Sequence, residues 1–176
     1  MKRLNARLNT RDITHLIREV ENFKYDFLRK LADFEIELAE VGITVARANT
    51  YVEYDEQYIN MGDMLEFSKD TVIEDSGVTC RLIATGQLYT KEWKGGSAQV
   101  NPLLMAEFGS GANAIDGHRG TFPNQHVAFL QSWKWTDNSG ITHESSGSVP
   151  SRPMLKAKQE MERQIQAVAE RVFSGA

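Results

Sequence analysis

The side chains that could do chemistry are few and loosely spaced. The strongest candidate is DGHRGTFPNQH, in which Asp116, His118 and His126 offer one carboxylate and two imidazoles to a metal ion. Three such ligands in a Gly-rich segment occur often by chance, and their spacing is not that of a zinc motif. We therefore predict no metal site and no catalytic residue. A small metal-dependent enzyme that uses this segment stays an alternative.

Nucleophiles and aromatic residues also have ordinary explanations. Residues 145–148 supply hydroxyls without a nearby base or a nucleophile elbow, so we interpret them as a polar loop. Cys80 lies in an alternating segment and is predicted to be a small buried hydrophobe. Trp133 and Trp135 share one face of a predicted strand, where core packing is favoured. A monomeric binding module that uses this face is a further alternative.

Composition indicates one globular domain of 176 residues, with 41% hydrophobic and 25% charged residues. No apolar run approaches the ~20 residues that a membrane span needs, and the basic N-terminus lacks the apolar core of a signal peptide. The net charge is −4, but residues 33–75 hold twelve acids and residues 1–11 hold four bases. We predict a basic arm at 1–11 that could touch nucleic acid, although overall acidity argues against a general nucleic-acid binder.

Apolar residues at three- and four-residue steps predict a long amphipathic helix from Arg11, capped by Thr10, with Asp12 in its first turn. The pattern continues past Gly42. TYVEYDEQYINMGDM follows and is interpreted as a connector. Asn101 as a cap and Pro102 at the first helical position predict a short helix further on. The helical stripe consists of Ile13, Leu16, Ile17, Val20, Phe23, Phe27, Leu28, Leu31, Phe34 and Leu38.

Two alternating segments predict antiparallel hairpins, LEFSKDTVIED with GVTCRLIATGQLYTKEW and AFLQSWKWTDNSGITHES folded on itself. A final amphipathic helix is predicted with Ser151 as its cap, Pro153 in its first turn and Leu155 on its apolar face. The predicted fold is α+β: a long N-terminal helix, one antiparallel sheet of about four strands and a C-terminal helix packed on the sheet. Residues 109–126 and 144–150 are predicted to be flexible loops.

Taken together, MAEFGSGANA and the segment from SWKWTDNSG to the final helix resemble the neck or tail-component proteins of long-tailed bacteriophages. In that family an aromatic-Glu-Phe-Gly-Thr-like motif precedes a variable loop, and a Pro-Phe-Leu-like motif starts the last helix. Two segments occupy those places in this sequence, Ala106-Glu107-Phe108-Gly109-Ser110 and Arg152-Pro153-Met154-Leu155.

The resemblance implies a structural virion protein without enzymatic activity or cofactor, assembled in the host cytoplasm into a ring of about six copies. Its implied partners are other copies of itself, neighbouring head-completion or adaptor proteins, and tail-terminator or tail-tube proteins. Genomic DNA would pass through the lumen only as cargo, and no membrane is implied. The implied motif or interface positions include Trp133 and Trp135 beside the two motif segments. A tail terminator or another minor head or tail protein is the nearest alternative.

Overall fold

The computed structural model describes residues 10–54, 57–93, 96–109, 133–136, 140–145 and 147–174. These residues form three α-helices and antiparallel strands, which confirms the predicted α+β class. No helix in these ranges has the length and apolar character to cross a bilayer. The elements are α1 (Thr10–Ala48), β1 (Tyr51–Tyr54), β2 (Gln57–Asn60), a 3-10 turn (Gly62–Met64), β3 (Leu65–Glu74), β4 (Gly77–Gly86), β5 (Tyr89–Trp93), β6 (Gly96–Val100), α2 (Pro102–Phe108), β7 (Trp133–Thr136), β8 (Thr142–Ser145), β9 (Val149–Pro150) and α3 (Pro153–Ser174).

The long helix α1 runs unbroken for 39 residues and passes through Gly42, as its periodicity predicts. Asp12 lies in the first turn, where a negative charge suits the helix dipole. Thr10 is the first helical residue and not a cap, and its carbonyl oxygen accepts the hydroxyl of Thr14 at 2.8 Å. Arg11, the last residue of the predicted basic arm, is helical, in agreement with a helix predicted from Arg11. The rest of that arm lies outside the described residues.

The first predicted hairpin is present as β3 and β4, paired from Leu65 with Gly86 to Glu74 with Gly77. Its alternation places every second residue of β4 on the partly buried face toward α1, as the sequence predicts. Cys80 is half-buried and not fully buried as predicted. Cys80 lies near the turn of the hairpin, where it pairs with Thr71 on the opposite strand. Its Sγ accepts a hydrogen bond from the Thr71 hydroxyl at 3.3 Å.

The prediction of a single four-stranded sheet is wrong in its pairing. The second hairpin forms as β7 and β8, but it makes a ribbon separate from β3–β4, and β5 with β6 makes another. Alternation indicates which face of a strand is buried, but it does not indicate which edges pair. The buried face of β3–β4 is covered by α1. The supposed connector is also ordered as β1 and β2. The predicted loop 144–150 includes the end of β8 and β9, which pairs with β1.

The C-terminal helix packs along α1 in the antiparallel direction, and not chiefly on a sheet as predicted. Gly42 permits the close approach, because a Cβ there would lie 2.5 Å from Met161 Sδ and 3.0 Å from Leu82 Cδ2. Near the far end, the guanidinium of Arg171 donates two hydrogen bonds to Glu37 at 2.9 and 2.6 Å. The long apolar face of α1 thus has room for α3 on one side and for β4 on the other.

The hydrophobic core lies where the C-terminal end of α1, α2 and the first turns of α3 meet. Small side chains let these helices approach, since Ala46, Ala106 and Ala157 are fully buried. Larger apolar side chains from β3 and the 3-10 turn fill the space between them. Those core residues are Met61, Leu65 and Phe67.

Candidate functional site: the junction of α2 and α3

The two motif segments meet at one place, the junction of α2 and α3, through Glu107. The backbone N–H of Met154 donates to Glu107 Oε2 at 2.7 Å, and that of Leu155 donates to Oε1 at 3.0 Å. These are first-turn N–H groups of α3, which have no acceptor within the helix. A carboxylate there also interacts favourably with the helix dipole. Glu107 therefore caps a helix that begins 46 residues after it in the chain.

Arg152 joins the same junction through its backbone. Its N–H donates to the carbonyl oxygen of Ala106 at 2.9 Å, and its own carbonyl oxygen accepts the N–H of Lys156 at 3.0 Å. Arg152 has a φ of 58°, a left-handed conformation that non-glycine residues seldom adopt. Pro153 follows as the first residue of α3 and is fully buried. The chain thus makes a sharp, hydrogen-bonded entry into α3 directly against the last turn of α2.

Gly109 and Phe108 complete the first motif. Gly109 ends α2 with φ 74° and ψ −170°, and its N–H donates to the carbonyl oxygen of Met105 at 2.9 Å. This combination of angles is essentially restricted to glycine. Phe108 is the last residue of α2 and is half-buried. The Glu-Phe-Gly order therefore has a structural reason: the glutamate caps α3 and the glycine ends α2.

The C-terminal end of α1 is tied to the same junction by Asn49, which the sequence analysis did not single out. Asn49 Oδ1 accepts Lys156 Nζ at 2.7 Å, and its carbonyl oxygen accepts the Ser151 hydroxyl at 2.6 Å. The sequence pattern predicts that Ser151 caps α3. That prediction is wrong, because the Ser151 hydroxyl donates to the end of α1 instead. Lys156 also lies 5.7 Å from the ring centre of Tyr51. An Asn directly after an Ala-rich helix was the available signal for such a helix end.

The sequence pattern predicts that Leu155 lies on the packed face of α3, and this prediction is wrong. It is 36% exposed, whereas Ala157 and Val168 are fully buried. The buried face follows the line of Ala157, Met161 and Val168, from which Leu155 is offset by the helical period. Beside this line an open apolar groove of about 310 Å³ lies between α1, β4 and α3. The groove is lined by Leu38, Leu82, Met154, Lys158, Met161, Glu162 and Ile165.

The remaining candidate residues belong to other segments of the chain. Trp133 and Trp135 lie on β7, in the separate ribbon, where they oppose Ser145 and His143 respectively. Asp116, His118 and His126 fall outside the described residues, so the prediction of no metal site there and the alternative of a metal-dependent enzyme both stay untested. Within the ranges given above, no cluster of three His, Cys, Asp or Glu side chains could hold a metal ion.

Several members of the acidic stretch 33–75 are paired with bases from other elements. Glu40 on α1 pairs with Lys69 on β3, and Asp75 in the hairpin turn pairs with Lys24 on α1 at 3.2 Å. These pairs are exposed, so each contributes little stability, but they reduce the effective charge of the stretch. The acidic stretch is therefore less strongly charged than its composition indicates.

One carboxylate outside this stretch has a clearly perturbed pKa. On α3, two hydrogen bonds from the Arg163 guanidinium and one from Gln164 lower the pKa of Glu160 from 4.5 to about 2. This cluster lies on the helix surface, 3 and 4 residues apart along one face. It therefore supports α3 locally and forms no part of the junction.

Chemically, the junction is a device for holding three helix ends together. Its carboxylate, amide and ammonium groups form hydrogen bonds with other residues of the fold, so they serve a structural role. Comparison with protein-family models, with curated proteins and with solved structures gives no match. The function must therefore be argued from the residues themselves.

Proposed function

We propose that this protein is a structural component of the head–tail connector of a long-tailed bacteriophage, a neck or tail-completion protein that acts by assembly. In this proposal about six copies form a ring between the portal side of the capsid and the tail. The ring contacts head-completion or adaptor proteins on one side and tail-terminator or tail-tube proteins on the other. It needs no cofactor, carries out no reaction and resides in the virion.

The observation that carries the proposal is the contact between the two segments on which the family resemblance rests. Glu107 of the first segment accepts the N–H groups of Met154 and Leu155 in the second. The polar residue of this motif caps a helix, so its role in this chain is to fix the shape of the junction, and that role requires no substrate. That is the pattern expected of a protein whose function depends on the surfaces it presents to its neighbours.

The charge of the chain is compatible with DNA as passing cargo. Six copies with a net charge of −4 each would together carry about −24, and an acidic lumen wall repels phosphates. Ion pairs such as Glu37 with Arg171 balance part of the 33–75 stretch, so a wall formed by this stretch would be less acidic than its twelve acids alone indicate and would repel DNA only moderately. DNA that is repelled moderately passes without being retained.

The proposal is tested with a phage that encodes this chain and carries an early stop codon in its gene. Electron microscopy of the lysate is expected to show filled heads apart from tails, with infectivity restored by the wild-type chain from a plasmid. Tails of irregular length would instead assign the chain to the tail-terminator class. Normal, infectious particles without the chain would overturn the proposal.

A matched pair of rescue variants links this phenotype to the junction. Glu107→Ala removes the cap of α3, whereas Glu162→Ala removes only an exposed pair with Lys158 on the same helix. We expect Glu162→Ala to restore infectivity fully and Glu107→Ala to restore it poorly at elevated temperature. Equal rescue by both variants would show that the junction is not what the particle requires.

A further inference from the structure

The first half of α1 extends beyond the elements that pack on its second half. We call residues 10–27 the arm. At its base, Phe173 near the end of α3 contacts Phe27, and Asp75 in the turn of the β3–β4 hairpin pairs with Lys24. With 1.5 Å per residue, the part of the arm before Lys24 projects about 20 Å beyond both. An isolated helical projection of this length is only marginally stable in water.

The arm carries an apolar stripe that is exposed in the single chain. Ile13, Leu16, Val20, Phe23 and Phe27 follow the alternating three- and four-residue spacing of a coiled-coil seam. Phe23 is 70% exposed, and all of the others except the half-buried Leu16 are at least 42% exposed. Scattered apolar side chains need no partner, but a continuous row of this size on a projecting helix marks an interaction surface.

The stripe continues an interface that already exists within the chain. Phe173 of α3 contacts both Phe34 and Phe27, with ring centres 6.0 and 6.2 Å apart. Phe27 in turn lies 6.4 Å from Phe23, for which no ring contact with the described residues of α3 is found. The arm therefore offers another helix the position that α3 occupies lower down.

Charges on either side of the stripe favour a particular partner. Asp12, Glu19 and Asp26 flank one edge, while Ile17 and Lys24 flank the other. An identical helix running antiparallel would place acidic edge against acidic edge. An identical helix running parallel would place the acidic edge of one copy against the edge that carries Ile17 and Lys24 in the other copy. Glu19 of each copy would then meet Lys24 of the second copy. The arm is thus complementary to itself in the parallel direction.

We propose that the arm is a self-association surface on which the arm of a second copy packs in parallel. Glu19 is half-buried and now lies 3.8 Å from the exposed His15, whereas Lys24 and Asp75 form an exposed pair; contacts of this kind contribute little stability and can be exchanged at small cost. Parallel arms are what rotation about an axis along the arm produces. Two arms that pack stripe against stripe are related by a two-fold axis, so six copies would contain three such pairs. The inference therefore deepens the proposed function, on which it rests for the number of copies joined, and names the surface that the two copies of a pair share.

Sedimentation equilibrium of the purified full chain tests this surface apart from any phage role. A seam of about two heptads is short, so we expect the average mass to rise above the 19.9 kDa monomer with increasing protein concentration. Phe23→Ala should weaken association about tenfold or more, because the ring that is exposed in the single chain would be buried between the two arms, and the variant lacks that burial. Ile165→Ala, at an exposed apolar position on α3 away from the stripe, is the matched control and should leave association unchanged.

Charge reversal tests the direction of the partner. Glu19→Lys should weaken association, and the double change Glu19→Lys with Lys24→Glu should restore it, because only parallel arms bring these side chains together. Urea unfolding of each variant should remain a single cooperative transition with a midpoint close to that of the wild type, because the Lys24 side chain is exposed and the half-buried Glu19 contacts only the exposed His15.

Three outcomes would overturn the proposal. The first is a wild-type chain that stays monomeric at the highest soluble concentration. The second is association that weakens with Ile165→Ala but not with Phe23→Ala, which would place the contact in the groove beside α3. The third is strong hydrogen-exchange protection of the arm in a dilute monomer, which would show that another segment of the same chain covers the stripe. If phage that lack the chain form normal particles, the connector function is refuted, but the result for the arm still stands.

Discussion

Replacing Glu107 tests whether the junction of α2 and α3 stabilises the fold. Glu107→Ala deletes the acceptor of two first-turn N–H groups, on Met154 and Leu155. Loss of a helix cap costs about 0.5–2 kcal/mol, and hydrogen bonds to a charged group contribute about 1.5–3 kcal/mol. Water can reach part of the site, because Leu155 is exposed. We therefore expect a loss of about 2–3 kcal/mol in the free energy of unfolding.

Glu107→Gln separates the two contributions. Its amide oxygen can still accept one N–H, but the amide nitrogen cannot accept the other and the charge is lost, so we expect a smaller loss of about 1–1.5 kcal/mol. The control is Glu162→Ala on the exposed side of α3, where removing the pair with Lys158 should cost less than about 0.5 kcal/mol.

Urea unfolding followed by circular dichroism measures these differences. The midpoint should fall in the order wild type, Glu107→Gln, Glu107→Ala, while the slope with denaturant stays constant. Thermal midpoints should drop by about 2–4 °C for each kcal/mol in a chain of this size. If Glu107→Ala unfolds within about 0.5 kcal/mol of the wild type, the carboxylate does not cap α3 in solution and the reasoning about the junction is refuted.

Three further predictions concern single positions. Gly109→Ala should lose about 1–3 kcal/mol in urea unfolding, because its φ of 74° with ψ −170° strains any side chain; an unchanged midpoint would contradict this geometry. Val168→Asp should lose about 3–5 kcal/mol, since it buries an unpaired charge, whereas Leu155→Asp should lose less, about 1–2 kcal/mol, because Leu155 is partly exposed; the opposite order would reverse the assigned faces of α3. Arg163 lowers the pKa of Glu160 to about 2, so the carboxylate stabilises the fold above pH 4.5 and this contribution disappears as the pH falls towards 2. The stability gap between wild type and Glu160→Gln should therefore narrow over that interval, and a constant gap would contradict the pairing.

Elements with a strong local pattern could be predicted from the sequence. The three- and four-residue spacing of apolar side chains defines α1 through Gly42, because this spacing gathers the apolar residues on one face of a helix. The Asn101-Pro102 pair identifies the start of α2, where the Asn101 side chain accepts the N–H groups of Leu103 and Leu104. These signals are contained within a few residues and depend little on the rest of the fold.

Features that depend on distant partners could not be predicted in the same way. Glu107 caps α3 across 47 residues, and nothing near Glu107 indicates its acceptor role. Ser151 has the right type and position for a cap, but its hydroxyl finds the carbonyl oxygen of Asn49 instead. The pairing of strands into separate ribbons likewise depends on which edges are brought together, and alternation does not contain that information.

The exposed stripe of the arm shows a related limit. Ile13, Val20 and Phe23 have the pattern of a buried helical face, yet within the single chain they are exposed. Periodicity reports that a face is to be covered, without saying whether the covering element belongs to the same chain. The exposure of a face with this pattern is the observation on which the proposed pairing of two arms rests.

Locating the chain in purified virions tests the central claim, that it acts as a structural part of the head–tail connector. Gold-labelled antibody against the chain, viewed by electron microscopy, should mark the joint between head and tail in particles opened by mild detergent, and quantitative mass spectrometry should find about six copies per particle. Absence of the chain from purified infectious particles, or label scattered over the head surface or along the tail, would contradict the account.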